Sequence, residues 1–103
     1  LPEGAFDLWH DRAVFHFLTD PAHRAAYLMS LTRALRPGGF LVLACFAPDG
    51  PEKCSGLPVR RYAAAGLATE LGPGFELLDA GRESHPTPFG TSQSFTVTRF
   101  RRA

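Results

Sequence analysis

The sequence predicts an α/β fold in the order β-α-β-α-β-β, with two parallel central strands and an antiparallel terminal hairpin. Three observations carry the prediction. The apolar segments at residues 5–9 and 40–46 are separated by a stretch of three- and four-residue periodicity, which gives a strand, a crossover helix and a second strand. Residues 40–46 show no polar alternation, the pattern of a parallel strand covered on both faces. The strand-like segments at 75–81 and 94–100 follow one another with no helix between them, so they pair as an antiparallel hairpin at a sheet edge.

Each element has a local reason. Ala5-Phe6-Asp7-Leu8-Trp9 forms a short strand and runs directly into His10-Asp11-Arg12. Residues 13–18 are apolar enough to start a short helix. Asp20 is a good N-cap and Pro21 suits a first helical turn, so the chain restarts there. Tyr27, Leu28, Leu31, Ala34 and Leu35 then recur on one helical face over residues 21–35, with His23, Arg24, Ser30 and Arg33 opposite. Pro37 drives its predecessor out of the helical region, and Gly38-Gly39 supply the turn into the next strand. Residues 47–61 read as a loop longer than most connections, a length that marks function or disorder. Residues 63–71 form a second helix, ended by Gly72-Pro73-Gly74, and residues 84–92 join the last two strands. In an open parallel sheet, ligands bind outside the carboxyl ends of the strands. The charged triplet sits at one such end, and Ala47-Pro48-Asp49-Gly50 at the next. The strand at 5–9 needs a neighbour on its far side or presents a bare edge.

The 103 residues and net charge of +1 bound the rest: one domain, and not a strongly basic nucleic-acid binder. Arg99, Arg101 and Arg102 read as a solvated basic tail. No apolar stretch approaches the ~20 residues of a membrane-spanning helix, and no segment reads as a signal peptide. The two cysteines, Cys45 and Cys54, are too few for a disulfide framework, so a reducing, cytoplasmic setting is expected.

Taken together, Phe6-Asp7-Leu8-Trp9-His10-Asp11, the turn Leu35-Arg36-Pro37-Gly38-Gly39, the strand at 40–46 and the helix-then-hairpin ending resemble the C-terminal half of a class I S-adenosylmethionine-dependent methyltransferase. The resemblance covers essentially the whole chain. It implies a Rossmann-like methyltransferase sheet, S-adenosylmethionine as cofactor and a small-molecule methyl acceptor. His10-Asp11-Arg12-Ala13 is most similar to the W-D-R-G segment of thiopurine-methyltransferase-like enzymes, with His10 in place of Trp and Ala13 in place of Gly. The family's Gly-rich turn after its first strand has no counterpart, since Gly38-Gly39 precedes a strand. Residues 1–103 are therefore expected to be the C-terminal part of one methyltransferase domain, a fragment inactive alone. A truncated or degenerate half-domain with an interaction role is the alternative. A nicotinamide-dependent dehydrogenase half is disfavoured by the antiparallel finish.

The resemblance makes His10 and Asp11 the candidate cofactor-binding residues. Asp11 either hydrogen-bonds the cofactor's amino group or caps the short helix through backbone N–H groups. His10 is also the candidate proton acceptor. Arg12 either orients an anionic acceptor through its planar fork or forms a surface ion pair. His16 and Tyr62 are placed in the substrate pocket or in the packing around it. Cys54 lines that pocket, the alternative being a thiolate nucleophile. The spacing of His10 and His16 does not match that of helical metal-ligand pairs, and no metal is expected.

Overall fold

The structure is a computed structural model that describes residues 3–103; Leu1 and Pro2 lie outside the described residues. Strand β1 (Phe6–Arg12) leads through a single 3-10 turn (Phe15–Phe17) to helix α1 (Pro21–Ala34) and strand β2 (Leu35–Phe46). A two-residue ladder of β3 (Lys53–Cys54) and β4 (Leu57–Pro58) interrupts the following loop, ahead of helix α2 (Ala64–Leu71). Strands β5 (Phe75–Pro86) and β6 (Ser92–Arg102) finish the chain.

The main sheet has the order β1-β2-β6-β5. β1 and β2 are parallel neighbours, and β6 runs antiparallel to both β2 and β5. The expected parallel pair and terminal hairpin are both present. The second strand of the hairpin inserts next to β2, so β6 lies between β2 and β5, and β1 is at the edge of the sheet formed by the described residues, the bare edge expected of it when it lacks a neighbour. β2 and β5 are parallel, joined by a crossover through α2 that leaves one position open between them, and β6 returns into it as an antiparallel hairpin strand.

Both helices cover one face of the sheet. Leu41, Leu43 and Cys45 of β2 point to that side and are fully buried with Phe100, Leu31, Leu35, Leu67 and Phe15. The opposite face is covered only near the carboxyl end of β2. There Ala44, Phe46 and Phe95 pack with Ala13, Cys54, Val59 and Val97. Lower on that face Leu8 is 56% exposed and Phe40 is 40% exposed. The run at 40–46 is thus apolar on both faces, yet within the described residues it is covered on only one along its whole length.

Local chemistry explains the boundaries. Asp20 accepts from the Ala22 N–H at 2.8 Å and caps α1, with Pro21 at its first position. The Leu35–Gly39 segment is a bulge inside β2 rather than a turn before it: β1 moves from Phe6 to Leu8 while β2 moves from Leu35 to Phe40. Gly38 holds φ at 81° within this bulge. Gly39 is required for space, because a Cβ there would lie 2.8 Å from Leu35 Cδ1 and 2.9 Å from the Arg36 carbonyl oxygen. Residues 13–18 form only the 3-10 turn, because Asp11 anchors their first amides. The arginine-rich C-terminus is not a solvated tail. Arg99 pairs with Asp79 at 2.7 Å, and Arg102 donates to the Leu35 carbonyl.

Arg24 also departs from the amphipathic reading, which put it on the solvent face. It is buried, and donates to the Leu18 carbonyl at 2.9 Å and to Glu70 at 3.2 Å. A long side chain can bury its stem when its head finds partners, and here the partners lie outside its own helix. Substitution of Gly39 by Ala is expected to destabilise the fold by about 1–3 kcal/mol, the usual range for overpacking. Urea denaturation of the wild type and the variant measures it.

Candidate functional site

Strand alternation divides the His10-Asp11-Arg12 triplet. In the parallel register His10 pairs with Val42 and Arg12 with Ala44, on the face without helices, whereas Asp11 pairs with Leu43, on the helix side. His10 and Arg12 are accordingly exposed, and Asp11 is 4% exposed. The two residues expected to hold the cofactor together therefore point to opposite faces. The period-two rule applied to residues 6–12 contains that division.

Asp11 spends its carboxylate inward. Oδ1 accepts from the Val14 N–H at 3.0 Å and the Phe15 N–H at 3.3 Å. Oδ2 accepts from the Tyr27 hydroxyl, which in turn accepts from the Trp9 indole N–H at 3.0 Å. This is the capping alternative, extended to a network joining β1, the 3-10 turn and α1. Burial, reinforced by the hydrogen bond to Asp11, pushes the Tyr27 hydroxyl pKa well up, so Tyr27 stays a neutral donor. Between these contacts Ala13 holds φ at 61°, in the left-handed region, and its N–H donates to the Ala44 carbonyl at 2.8 Å. The W-D-R-G pattern has Gly at this position. An L-residue in that conformation costs roughly 1–2 kcal/mol, which the surrounding bonds offset.

Arg12 takes the ion-pair alternative. It donates to Glu83 at 2.7 and 3.4 Å, and its guanidinium lies 4.6 Å from the centroid of the Phe95 ring. Hydrogen bonding from Arg12 holds the Glu83 carboxyl below the usual carboxylate range. Cys54 is half-buried against the same Phe46–Phe95 cluster. Arg12, over Phe95, and Cys54 thus border the same apolar cluster on the open face.

Tyr62 packs with the helix-side core, and both His16 and Tyr62 meet the end of β2 at Phe46. His16 is fully buried. Its Nδ1 accepts from the Phe46 N–H at 3.2 Å, and its ring lies 4.6 Å from the Phe46 ring. Tyr62 donates its N–H to the Phe46 carbonyl at 2.9 Å, and its ring lies 5.6 Å from that of Phe15. Among the described residues, His16 Nε2 and Tyr62 Oη are buried polar atoms without a hydrogen-bond partner. Burial pushes the Tyr62 hydroxyl up to about 12, and the Cys45 thiol likewise up to about 12. Neither supplies an anion near neutral pH.

Sequence reasoning missed several contributors. Tyr27 and Trp9 read as packing residues, and Phe95 and Glu83 as parts of a distant hairpin. Only the insertion of β6 beside β2 brings the last two to Arg12. A cavity of about 840 Å³ lies near the amino end of β1, lined by Gly4, Leu28, Met29, Arg33, Pro37 and Arg102. Its size does not make it the site, since it lies away from the strand ends that carry the polar groups. A smaller one of about 230 Å³, bordered by Pro48, Ala63, Gly81, Arg82 and Thr96, adjoins the carboxyl end of β2. No group of three or more His, Cys, Asp or Glu among the described residues could hold a metal ion. Among the described residues no helix is long and apolar enough to cross a membrane.

Comparison of this architecture with solved structures finds methyltransferases. The chain is similar to an S-adenosylmethionine-dependent methyltransferase of Methanosarcina mazei, with 15% identity, 99% of this chain and 61% of the other covered, and a TM-score of 0.76. It is also similar to the 1,6-didemethyltoxoflavin-N1-methyltransferase of Burkholderia thailandensis, solved with 1,6-didemethyltoxoflavin and S-adenosylhomocysteine bound. That match has 25% identity, covers 100% of this chain and 46% of the other, and has a TM-score of 0.77. An N-methyltransferase of Bradyrhizobium japonicum matches with 18% identity, 99% and 53% coverage, and a TM-score of 0.71. The fold is that of a class I S-adenosylmethionine-dependent methyltransferase. The chain spans about half to three-fifths of the length of these three proteins. No family model matches the chain, and no curated protein does.

Within this methyltransferase sheet, His16 couples the strand end to pH. Burial lowers its pKa from 6.5, outweighing the opposing pull of Asp11. The unfolded chain therefore binds more protons than the folded one below about pH 6.5. The His16 contribution is fully present above that pH and is lost as pH falls through the lowered folded pKa. The urea midpoint is expected to fall between about pH 7 and pH 5, and to fall less in His16→Asn, which keeps an acceptor near the Nδ1 position but does not titrate. Equal slopes for the two proteins would contradict the assignment.

Proposed function

We propose that this chain is the acceptor-side part of a methyltransferase domain, which transfers the methyl group of S-adenosylmethionine to a small-molecule acceptor. The observation that carries the reading is the β1-β2-β6-β5 order, with its parallel pair and inserted antiparallel strand, shared over nearly the whole chain with solved methyltransferases. Supporting it, the polar side chains at the end of β1 lie outside the carboxyl end of a strand, where open α/β sheets bind ligands.

The cofactor would supply an activated methyl on a sulfonium centre. Alignment of acceptor and methyl then carries much of the acceleration, and little acid–base help is needed. The donor set here fits a supporting role toward the cofactor. Asp11 has both oxygens engaged and is buried, so we assign it to holding the Arg12–Phe15 turn in place rather than to a direct hydrogen bond. His10, exposed at the same strand end, is the side chain assigned to face cofactor or acceptor, and the proton acceptor where one is required. Arg12 and Cys54 border the acceptor side around Phe95, while His16 and Tyr62 back it from beneath. Residues 1–103 alone are assigned no turnover, and the protein is read as cytoplasmic.

The alternative, an interaction role without catalysis, draws on the uncovered edge of β1, where Phe6 is 44% and Leu8 56% exposed. Calorimetric titration with S-adenosylhomocysteine separates the two. The complete gene product is expected to bind it and residues 1–103 alone to bind it weakly or not at all. No binding by the complete gene product would contradict methyl transfer and favour the interaction role. Tight binding by residues 1–103 alone would contradict the division of labour.

A further inference from the structure

The carbonyls that close the turn after β1 are held from a distance. The Arg60 N–H donates to the His16 carbonyl at 2.7 Å, and Arg24 Nη1 donates to the Leu18 carbonyl at 2.9 Å. The two acceptors flank Phe17, at the far end of the segment whose first amides Asp11 engages. Asp11 works at short range, reaching residues three and four places ahead of it. Arg60 belongs to the long loop before α2, and Arg24 to α1. The far end of the segment therefore depends on elements that its own sequence does not supply.

Both arginines converge on one carboxylate. Glu70 Oε2 accepts from Arg24 Nε at 3.2 Å, and Glu70 Oε1 lies 3.0 Å from Arg60 Nη2. Each carboxylate oxygen thus serves a different guanidinium. The Arg24 side chain is 10% exposed, that of Glu70 23% and that of Arg60 45%, so the trio runs from interior to surface. Glu70 lies in the last turn of α2, which Leu67 and Leu71 fix to the core. The Arg60 guanidinium also lies 5.3 Å from the centroid of the Tyr62 ring, and the Tyr62 N–H holds the Phe46 carbonyl at the end of β2.

A carboxylate shared by two guanidinium groups does more than tie α1 to α2. Without it Arg24 is a buried cation with no counter-ion, and breaking a buried pair in this way is strongly destabilising. The two cations also repel each other once the charge between them is removed. Arg24 relieves both penalties by turning toward solvent, which releases the Leu18 carbonyl. A tie between the helices needs only Arg24 and Glu70. The contacts on His16 and Leu18 direct the same charge at the strand end.

We infer that Glu70 is a positioning residue of the proposed methyl-transfer site, acting through Arg24 and Arg60 on residues 16–18. With Asp11 at its front and Glu70 behind it, the turn after β1 is fixed at both ends before a ligand arrives. The inference rests on the methyl-transfer reading, which gives that turn a supporting role toward the cofactor. A support held in place beforehand favours binding, because less motion has to be frozen when the ligand docks.

The test uses the complete gene product and three variants, Glu70→Gln, Arg60→Gln and Gly39→Ala. Calorimetry gives the Kd of S-adenosylhomocysteine, hydrogen exchange gives the protection of the Arg60 amide, and urea gives the stability. Glu70→Gln keeps the shape of the side chain and removes its charge. It is expected to weaken S-adenosylhomocysteine binding about tenfold, the order of one charge-assisted hydrogen bond. Its Arg60 amide is expected to exchange faster than in the wild type after correction for global stability. Gly39→Ala, which disturbs the opposite end of β2, is expected to lose stability but hold Kd within about twofold. If Glu70→Gln does not fold, Arg60→Gln is read in its place, since it leaves the buried Arg24–Glu70 pair intact; about a threefold loss of affinity is then expected. Unchanged affinity in the variant read would overturn the role of Glu70 and leave the functional reading standing. An equal loss in Gly39→Ala would reduce the effect to stability and overturn that role as well. Failure of the wild type to bind S-adenosylhomocysteine would overturn the functional reading, and this inference with it.

Discussion

The carboxylate of Asp11 faces into the protein, and most of what lies at the carboxyl end of β1 follows from that. It gathers the Val14 and Phe15 amides and the Tyr27 hydroxyl into one buried network. A charged group in such a place is tolerated only when its lone pairs are engaged by donors. With three donors on it, Asp11 closes the chain into a tight turn, sets Ala13 in its left-handed conformation and delivers Phe15 to the core. The position of His16 is a further consequence, since it follows Phe15 and meets the Phe46 amide at the end of β2.

The network also separates the buried member of the triplet from its two exposed neighbours. Strand alternation sends His10 and Arg12 away from Asp11, onto the face that the two helices leave open. The inserted strand β6 then brings Phe95 under Arg12 and sets β5 close enough for Glu83 to take the guanidinium. An inner half formed by the helices and an outer half formed by the hairpin meet at the end of β2.

Much of the scaffold was legible in the sequence. Asp20-Pro21 marks the start of α1, and the continuous run at 40–46 marks a strand in the middle of the sheet. What local pattern could not reveal were decisions made by partners distant in the chain. Arg24 looks like a solvent residue until Glu70 and the Leu18 carbonyl are placed beside it. Residues 84–86 are polar and end in proline, so they read as loop; pairing with β6 makes them strand. The candidate site was legible as a location, the end of β1, but not as a geometry. Residues His10, Asp11 and Arg12 are adjacent in sequence, and their assignment as a group ignored the alternation that separates them.

The central claim is that Asp11 and Tyr27 act as a unit that shapes the strand end. A double-mutant cycle of Asp11→Ala and Tyr27→Phe, read by urea denaturation, tests it most directly. The account predicts an interaction energy of about 0.5–3 kcal/mol between the two sites, the range for coupled residues in one hydrogen-bond network. Additivity within about 0.3 kcal/mol, the behaviour of independent positions, would contradict it.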